Sequence, residues 1–212
     1  MSSHRALPAE SERERVLLAT AELWAEAGYG GLSVAEICSR AEVDASTFEA
    51  MFPSVAATVK AAIEALLAAV VGLVSELFSP DRSEAESYAG AIVEILKLMA
   101  ANPAYAHLAY IAGRQMAPPS VRSVYVSGTQ LLVAMLERLW ESSSADQQPD
   151  KAALGVLGGA EAVVRREIVA GRSERLPALA PDFVYIATVP FLGQEEALRL
   201  TRLAVQLLDS RE

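Results

Sequence analysis

Residues 33 to 52, SVAEICSRAEVDASTFEAMF, carry two short runs of apolar side chains at helical spacing, one on each side of a tight polar turn. Val34, Ile37 and Cys38 fall at i, i+3 and i+4 and so share one helix face. Ser33 and Glu36 have capping-box spacing: the hydroxyl takes an amide hydrogen at the helix start, and the carboxylate reaches back. Residues 40 to 43 turn the chain, Asp44 caps the next helix, and Phe48, Met51 and Phe52 repeat the spacing. Helices this short gain stability by crossing steeply and burying those faces together, which leaves Ala45, Ser46, Glu49 and Ala50 outward. The pattern predicts a helix-turn-helix whose second helix enters a DNA groove.

Just over half of the 212 residues are apolar, ample for a core. No alternating run of useful length interrupts the helical spacing, so the expected fold class is all-α. The single cysteine, Cys38, excludes an internal disulfide and any CxxC metal pattern, and its place on the inner face of its helix reads as a packed thiol. No metal and no cofactor is implied. The amino terminus, MSSHRALPAESERER, is polar and charged, unlike a signal peptide. The apolar stretch from residue 61 to 74 is broken by Glu64 and Gly72. It falls short of the roughly 20 residues a membrane span needs. The expectation is a cytoplasmic protein with no membrane partner.

Charge complicates the DNA reading. Residues 1 to 52 carry four arginines (Arg5, Arg13, Arg15, Arg40) against nine carboxylates, a net charge of −5 within a chain of −9. Affinity for DNA rests largely on cationic groups that displace condensed counterions, so an acidic reading head opposes it.

Breakers and caps divide the remainder. A first helix is expected from about residue 9 to 27, with Val16, Leu23 and Ala27 on one side and Leu17, Ala21 and Trp24 beside them. Gly28, Gly30 and Gly31 end it. Further helices are expected over residues 54 to 78, 83 to 101, 103 to 116, 120 to 140, 150 to 171, 181 to 192 and 194 to 210. Ser79, Pro80 and Asp81 mark one break; Asn102 caps the helix that Pro103 opens; residues 141 to 148 form a surface loop. The expected plan is a helix-turn-helix domain over 9–53 and a ligand-binding and dimerisation domain over 54–212, about nine helices, three in the head and six in the body.

Two features of the body suggest a homodimer. Gly155, Gly158, Gly159 and Ala162 make a seam of small residues that admits another helix closely. In the last helix, Leu200, Ala204 and Leu207 belong to one apolar face, with Leu198, Leu203 and Val205 on others. Two such helices from each subunit would make a two-fold four-helix interface. Tyr105, His107, Tyr110, Arg114, Tyr125 and Trp140 supply aromatic walls and polar handles for a small hydrophobic ligand. Arg165 and Arg166 beside Glu167 read as a solvated helix face or an interface ion pair, and as poor candidates for a phosphate clamp. Neither His4 nor His107 is accompanied by a Gly-x-Ser-x-Gly, phosphate-loop or HExxH pattern, so no catalytic residue is assigned and no enzyme is expected.

The segment RVLLATAELWAEAGYGGLSVAEICSRAEV, the Thr47-Phe48 pair, and Phe52 before Pro53-Ser54 resemble the tetracycline-repressor (TetR) family of bacterial transcriptional regulators. The likeness is specific over residues 13 to 54 and continues, more weakly, in the order of helices through VYIATVPFLGQEEALRL. The resemblance implies an all-helical homodimer with a three-helix DNA-reading head and a variable ligand-binding body. It implies a repressor that binds double-stranded operator DNA and is released when a small ligand tilts the helix 54 to 78. DNA contacts then fall to Ser33, Ala45, Ser46, Thr47, Glu49, Ala50 and Met51. The chain departs from the family pattern at four places: Glu49 replaces a phosphate-binding tyrosine, Met51 an aromatic or histidine, Val55 a lysine, and Glu42 a small turn residue. Those departures define the alternative, a relative deficient in DNA binding that serves as a ligand sensor or protein-interaction module.

Overall fold

The computed structural model describes residues 10–78, 82–112, 126, 129–130, 132–134, 136–138 and 151–210. Among the described residues regular structure is helical throughout, with no strand. Contacts divide the chain into two compact units, Met1–Ala69 with Asn102–Gly128 and Val70–Ala101 with Thr129–Glu212.

The first unit is built on α1 (Glu12–Ala27), whose start is a complete capping box. The Glu14 amide donates to Ser11 Oγ at 3.2 Å and the Ser11 amide donates back to the Glu14 carboxylate at 2.8 Å. Val16, Leu17, Thr20, Ala21 and Trp24 form the buried face of α1, whereas Ala27 is exposed and Leu23 half-buried. This corrects the expected grouping of Leu23 and Ala27 with Val16, because the neighbouring helices lie a fraction of a turn round the cylinder. Helix α1 packs on α2 (Val34–Ala41) and on α6 (Pro103–His107), which a π-helical turn over Leu108–Ala112 continues. Pro103 opens α6 as expected, yet Asn102 makes no side-chain capping bond. Helix α3 (Ala45–Met51) packs on α2.

Helix α4 (Val55–Leu77) is a single run of 23 residues whose first part lies in this unit. In length and composition it would cross a bilayer, as would the run Ser173–Asp209, which corrects the shorter count made on residues 61 to 74. Long core helices meet the same measure, and a third of each apolar window is buried within the chain.

The second unit contains α5 (Glu84–Ala101), described helical residues between 129 and 138, α7 (Ala152–Val169), a 3₁₀ turn over Ser173–Leu179 and α8 (Ala180–Asp209). Tyr88, Leu136, Ala153, Ala187 and Phe191 form one buried cluster, with Ile92, Val156 and Leu192 packed round it. Full burial of a leucine or phenylalanine side chain contributes about 1.5–3 kcal/mol. Helix α8 breaks at Gly193, φ 79° and ψ 171°, a backbone that a side chain would strain. The break separates the two helices expected over 181 to 192 and 194 to 210. Helix α5 also holds the far end of α8: buried Lys97 donates from Nζ to the Leu207 carbonyl at 3.0 Å and lies 3.4 Å from Glu94 Oε1. An ammonium group at the last carbonyls of a helix also meets the negative end of its dipole.

Candidate nucleic-acid interface

Helices α2 and α3 are positioned from inside by side chains the sequence marks clearly. Ile37 is wholly buried, Phe48 is 1% exposed, and Phe48 and Phe52 meet with ring centroids 6.0 Å apart. Cys38 is buried beside them, and burial pushes its thiol pKa up. The helices present Ser33, Ala45, Ser46, Glu49 and Ala50 as exposed residues and Thr47 and Met51 as half-buried ones. All seven expected contact residues thus lie on the two short helices of one motif.

The turn between them is unusual. Glu42, the C-cap of α2, has φ 54° and ψ 48°, and it is the one non-glycine residue with positive φ among those described. A left-handed backbone costs roughly 1–2 kcal/mol for a residue with a Cβ.

The hydrogen bonds at the Ser33 cap differ from the sequence expectation, whereas Asp44 caps the next helix as expected. Ser33 Oγ accepts from the Glu36 amide at 3.2 Å, but it also donates to Glu36 Oε2 at 2.7 Å. The Glu36 carboxylate therefore takes the hydroxyl proton instead of the backbone amide of Ser33, and the full capping box expected here stands at Ser11. At α3, Asp44 Oδ1 accepts from the Thr47 amide at 2.7 Å and from Ser46 Oγ at 2.6 Å. These bonds hold the Asp44 carboxyl below its ordinary range, the Ser46 hydroxyl contributing most. Both serine protons of the reading face are thus directed at carboxylates of the same face.

The cations of the head are also engaged. Arg40 forms a two-pronged pair with Glu26, 3.0 and 2.9 Å, and a third bond to Glu22 at 3.3 Å. Arg15 Nε donates to the Ala41 carbonyl at 3.0 Å, and the Arg13 guanidinium lies 5.3 Å from the centre of the Phe52 ring. Lys60 pairs with Glu64 at 2.8 Å. Arg13 and Arg15 were not assigned roles from sequence. One brackets the end of α3 and the other the end of α2, and their place just before the buried Val16-Leu17 pair is the only sequence signal of it.

In the same unit Tyr105 is buried, and His107 and Tyr110 are half-buried. Burial, with Glu14 and Glu22 nearby, pushes the Tyr105 phenol up to about 12. Burial pushes the His107 imidazole down, and its enclosed Nδ1 has no hydrogen-bond partner among the described residues. Arg114, Tyr125 and Trp140 lie outside the described residues.

On α7, Gly155, Gly158, Gly159 and Ala162 are all exposed, flanked by Leu154 at 53% and Val163 at 40%. A Cβ at any of the three glycines would meet nothing within 4 Å. On α8 the expected face needs correction. Leu200 and Ala204 are 0% exposed, and Leu207 is half-buried and lies near Gly90, so this face is turned into the chain's own core against α5. The exposed apolar residues of α8 are Ile186, Leu198 and Val205.

Residues 16–62, which span α1 to the first turns of α4, match the model of the bacterial regulatory proteins of the tetR family. The head of this chain is similar to that of the TetR family. Its fold is that of a TetR-family transcriptional regulator, and solved structures repeat it well beyond the head. The fatty acid degradation regulator FadR from Bacillus halodurans superposes with a TM-score of 0.73 at 18% identity, covering 85% of this chain and 98% of that one. The transcriptional regulator FadR from Bacillus subtilis, in complex with stearoyl-CoA, gives 0.70 at 18% identity with the same coverage. A gamma-butyrolactone receptor, an ArpA-like protein, gives 0.67 at 20% identity and covers 95% of this chain and 98% of that one. At these identities the likeness shows the fold. No curated protein matches in sequence.

Proposed function

We propose that this chain is a TetR-family repressor that binds operator DNA as a homodimer and is released by a small, largely hydrophobic ligand. The observation that carries the reading is the reading face itself: Ala45, Ser46, Glu49 and Ala50 stand exposed on a helix whose other side is locked by Phe48. A two-fold dimer would present two such helices about 34–36 Å apart, one turn of duplex DNA. The exposed small-residue seam of α7 with Leu198 and Val205 of α8 supports the dimer. The ligand class is supported by the stearoyl-CoA complex of one structural neighbour and the butyrolactone receptor function of another. Selection from random duplexes on the purified protein, with a salt titration, tests it. Enrichment of a palindromic site is expected, and absence of any duplex binding at low salt would overturn it.

A second reading, a DNA-binding-deficient ligand sensor, is favoured by one set of contacts. The described arginines of the head are each engaged with a protein group, and the Ser33 and Ser46 hydroxyls donate to Glu36 and Asp44. The double substitution Glu49→Tyr with Val55→Lys separates the two. If only these contacts are missing, the variant gains duplex affinity that the parent chain lacks.

A further inference from the structure

Arg15 is half-buried near the start of α1, where the Ser11–Glu14 capping box fixes the backbone before it and the buried Val16-Leu17 pair fixes it after. Its Nε donates to the Ala41 carbonyl at 3.0 Å, across 26 residues of chain. Ala41 is the last residue of α2 and is 2% exposed. The last carbonyls of a helix have no partner inside it, and one left unbonded in a buried place costs stability. Among the described residues no backbone amide donates to the Ala41 carbonyl. The amides of Glu42 and Val43 both turn instead to the Cys38 carbonyl. Arg15 supplies the closing bond that the turn itself does not, and a cation there also meets the negative end of the helix dipole.

The direction of the reading helix hangs on that closure. Glu42, the next residue, has the left-handed backbone that turns the chain into α3. Helix α3 has seven residues, too few to hold a course alone, and it packs on α2. Ile37 and Phe48 bury apolar surface between these helices, but apolar burial carries no direction, whereas a hydrogen bond does. The other tie between α1 and α2 joins Arg40 to Glu22 and Glu26, side chains at least 37% exposed, where water and salt weaken a pair. The Arg15 bond is half-buried and made to an uncharged acceptor, so salt screens it far less.

We propose that Arg15 is a positioning residue for DNA reading: by holding the carboxyl end of α2 it sets where α3 presents Ala45, Ser46, Glu49 and Ala50. The proposal rests on the operator-binding reading above. The role belongs to the Nε–H donor, so it is separable from positive charge. Glutamine places an N–H donor on the same δ carbon without the charge, and methionine keeps a stem of similar length with neither.

The probes are the duplex that the full parent chain enriches from a random pool and a scrambled duplex of the same composition, each titrated across a salt series. Arg15→Met is expected to bind the enriched duplex about tenfold more weakly, with scrambled-duplex affinity and salt slope unchanged. Arg15→Gln is expected to match the parent on both. Amide hydrogen exchange at Phe48 and Phe52, whose N–H groups bond to the Asp44 and Phe48 carbonyls, is expected to quicken in Arg15→Met and not in Arg15→Gln. Equal losses in the two variants, with a salt dependence shallower by about one unit, assign Arg15 to a phosphate and overturn the proposal. Parent-like affinity for the enriched duplex in Arg15→Met overturns it as well. If the parent chain enriches no duplex, the operator-binding reading falls by itself and exchange decides. Faster exchange in Arg15→Met then keeps Arg15 as the residue that orients α3, and unchanged exchange removes it.

Discussion

Arg40 of α2 and Glu26 of α1 face each other through two parallel bonds, Nη1 to Oε1 at 3.0 Å and Nη2 to Oε2 at 2.9 Å. The fork ties the first helix to the helix that supports α3 and engages the guanidinium with protein carboxylates. The pair holds the Glu26 carboxyl below its ordinary range.

Releasing that arginine tests how far charge limits DNA binding. Glu22→Gln with Glu26→Gln removes both partners of Arg40 and raises the net charge of the chain by two. Duplex affinity is expected to rise. The plot of log affinity against log salt steepens by about one unit if Arg40 then meets a phosphate. An unchanged slope with unchanged affinity would show that Arg40 has no path to a duplex.

The left-handed Glu42 is a second point of leverage. Glu42→Gly removes the Cβ strain but adds unfolded-chain entropy, so the net gain is about 0.5–1 kcal/mol. Urea unfolding reads this as a higher midpoint at constant slope. A lower midpoint would mean that the glutamate side chain stabilises the turn.

Acid sensitivity follows from Asp44. Its pKa is lower in the folded chain than in the unfolded one, so its contribution is complete above the unfolded value near 4. That contribution is lost as pH falls through the folded value. Asp44→Asn, which keeps the cap acceptor but carries no charge, is expected to show a shallower loss of stability between about pH 5 and pH 2. Thermal melts across that range decide it; parallel profiles for the two proteins would assign the acid loss to other carboxylates.

The α7 seam separates chain stability from association. Gly158→Ala with Gly159→Ala relieves helix-interior glycine, about 1 kcal/mol each, in a chain where the new methyl groups meet open space. If the seam is a helix-packing interface, the same methyls hold the partner away. The melting temperature then depends less steeply on protein concentration than in the parent chain. A uniform rise at all concentrations would place the seam in solvent.

Lys97 gives a prediction about the body alone. Lys97→Met removes the donor to the Leu207 carbonyl and the cation beside buried Glu94. Breaking a buried pair in this way costs about 3 kcal/mol, readable as a lower urea midpoint. A loss under about 1 kcal/mol would mean that the pair adds little to the stability of the body.

The sequence by itself determined the helices and most of their ends. Spacing of Ile37, Phe48 and Phe52, the Ser33 and Asp44 caps, Pro103 and the break at Gly193 are local signals, set by backbone sterics and by bonds to near neighbours in the chain. They sufficed for the fold class and for the seven exposed or half-exposed residues of the reading helices. Tertiary structure decided which faces stay open and which charges stay free. Leu200 and Ala204 look in sequence like a face for a partner, and α5 covers them; Leu198 and Val205, a fraction of a turn away, remain exposed. Arg40 counts as a cation for DNA until α1 brings Glu22 and Glu26 against it, while Glu167 reads as part of a solvated face or an interface pair until the Gly171 turn carries Arg172 to it and it is buried. Helical periodicity is written every three or four residues, whereas the partner of a long charged side chain depends on segments whose separation only packing fixes.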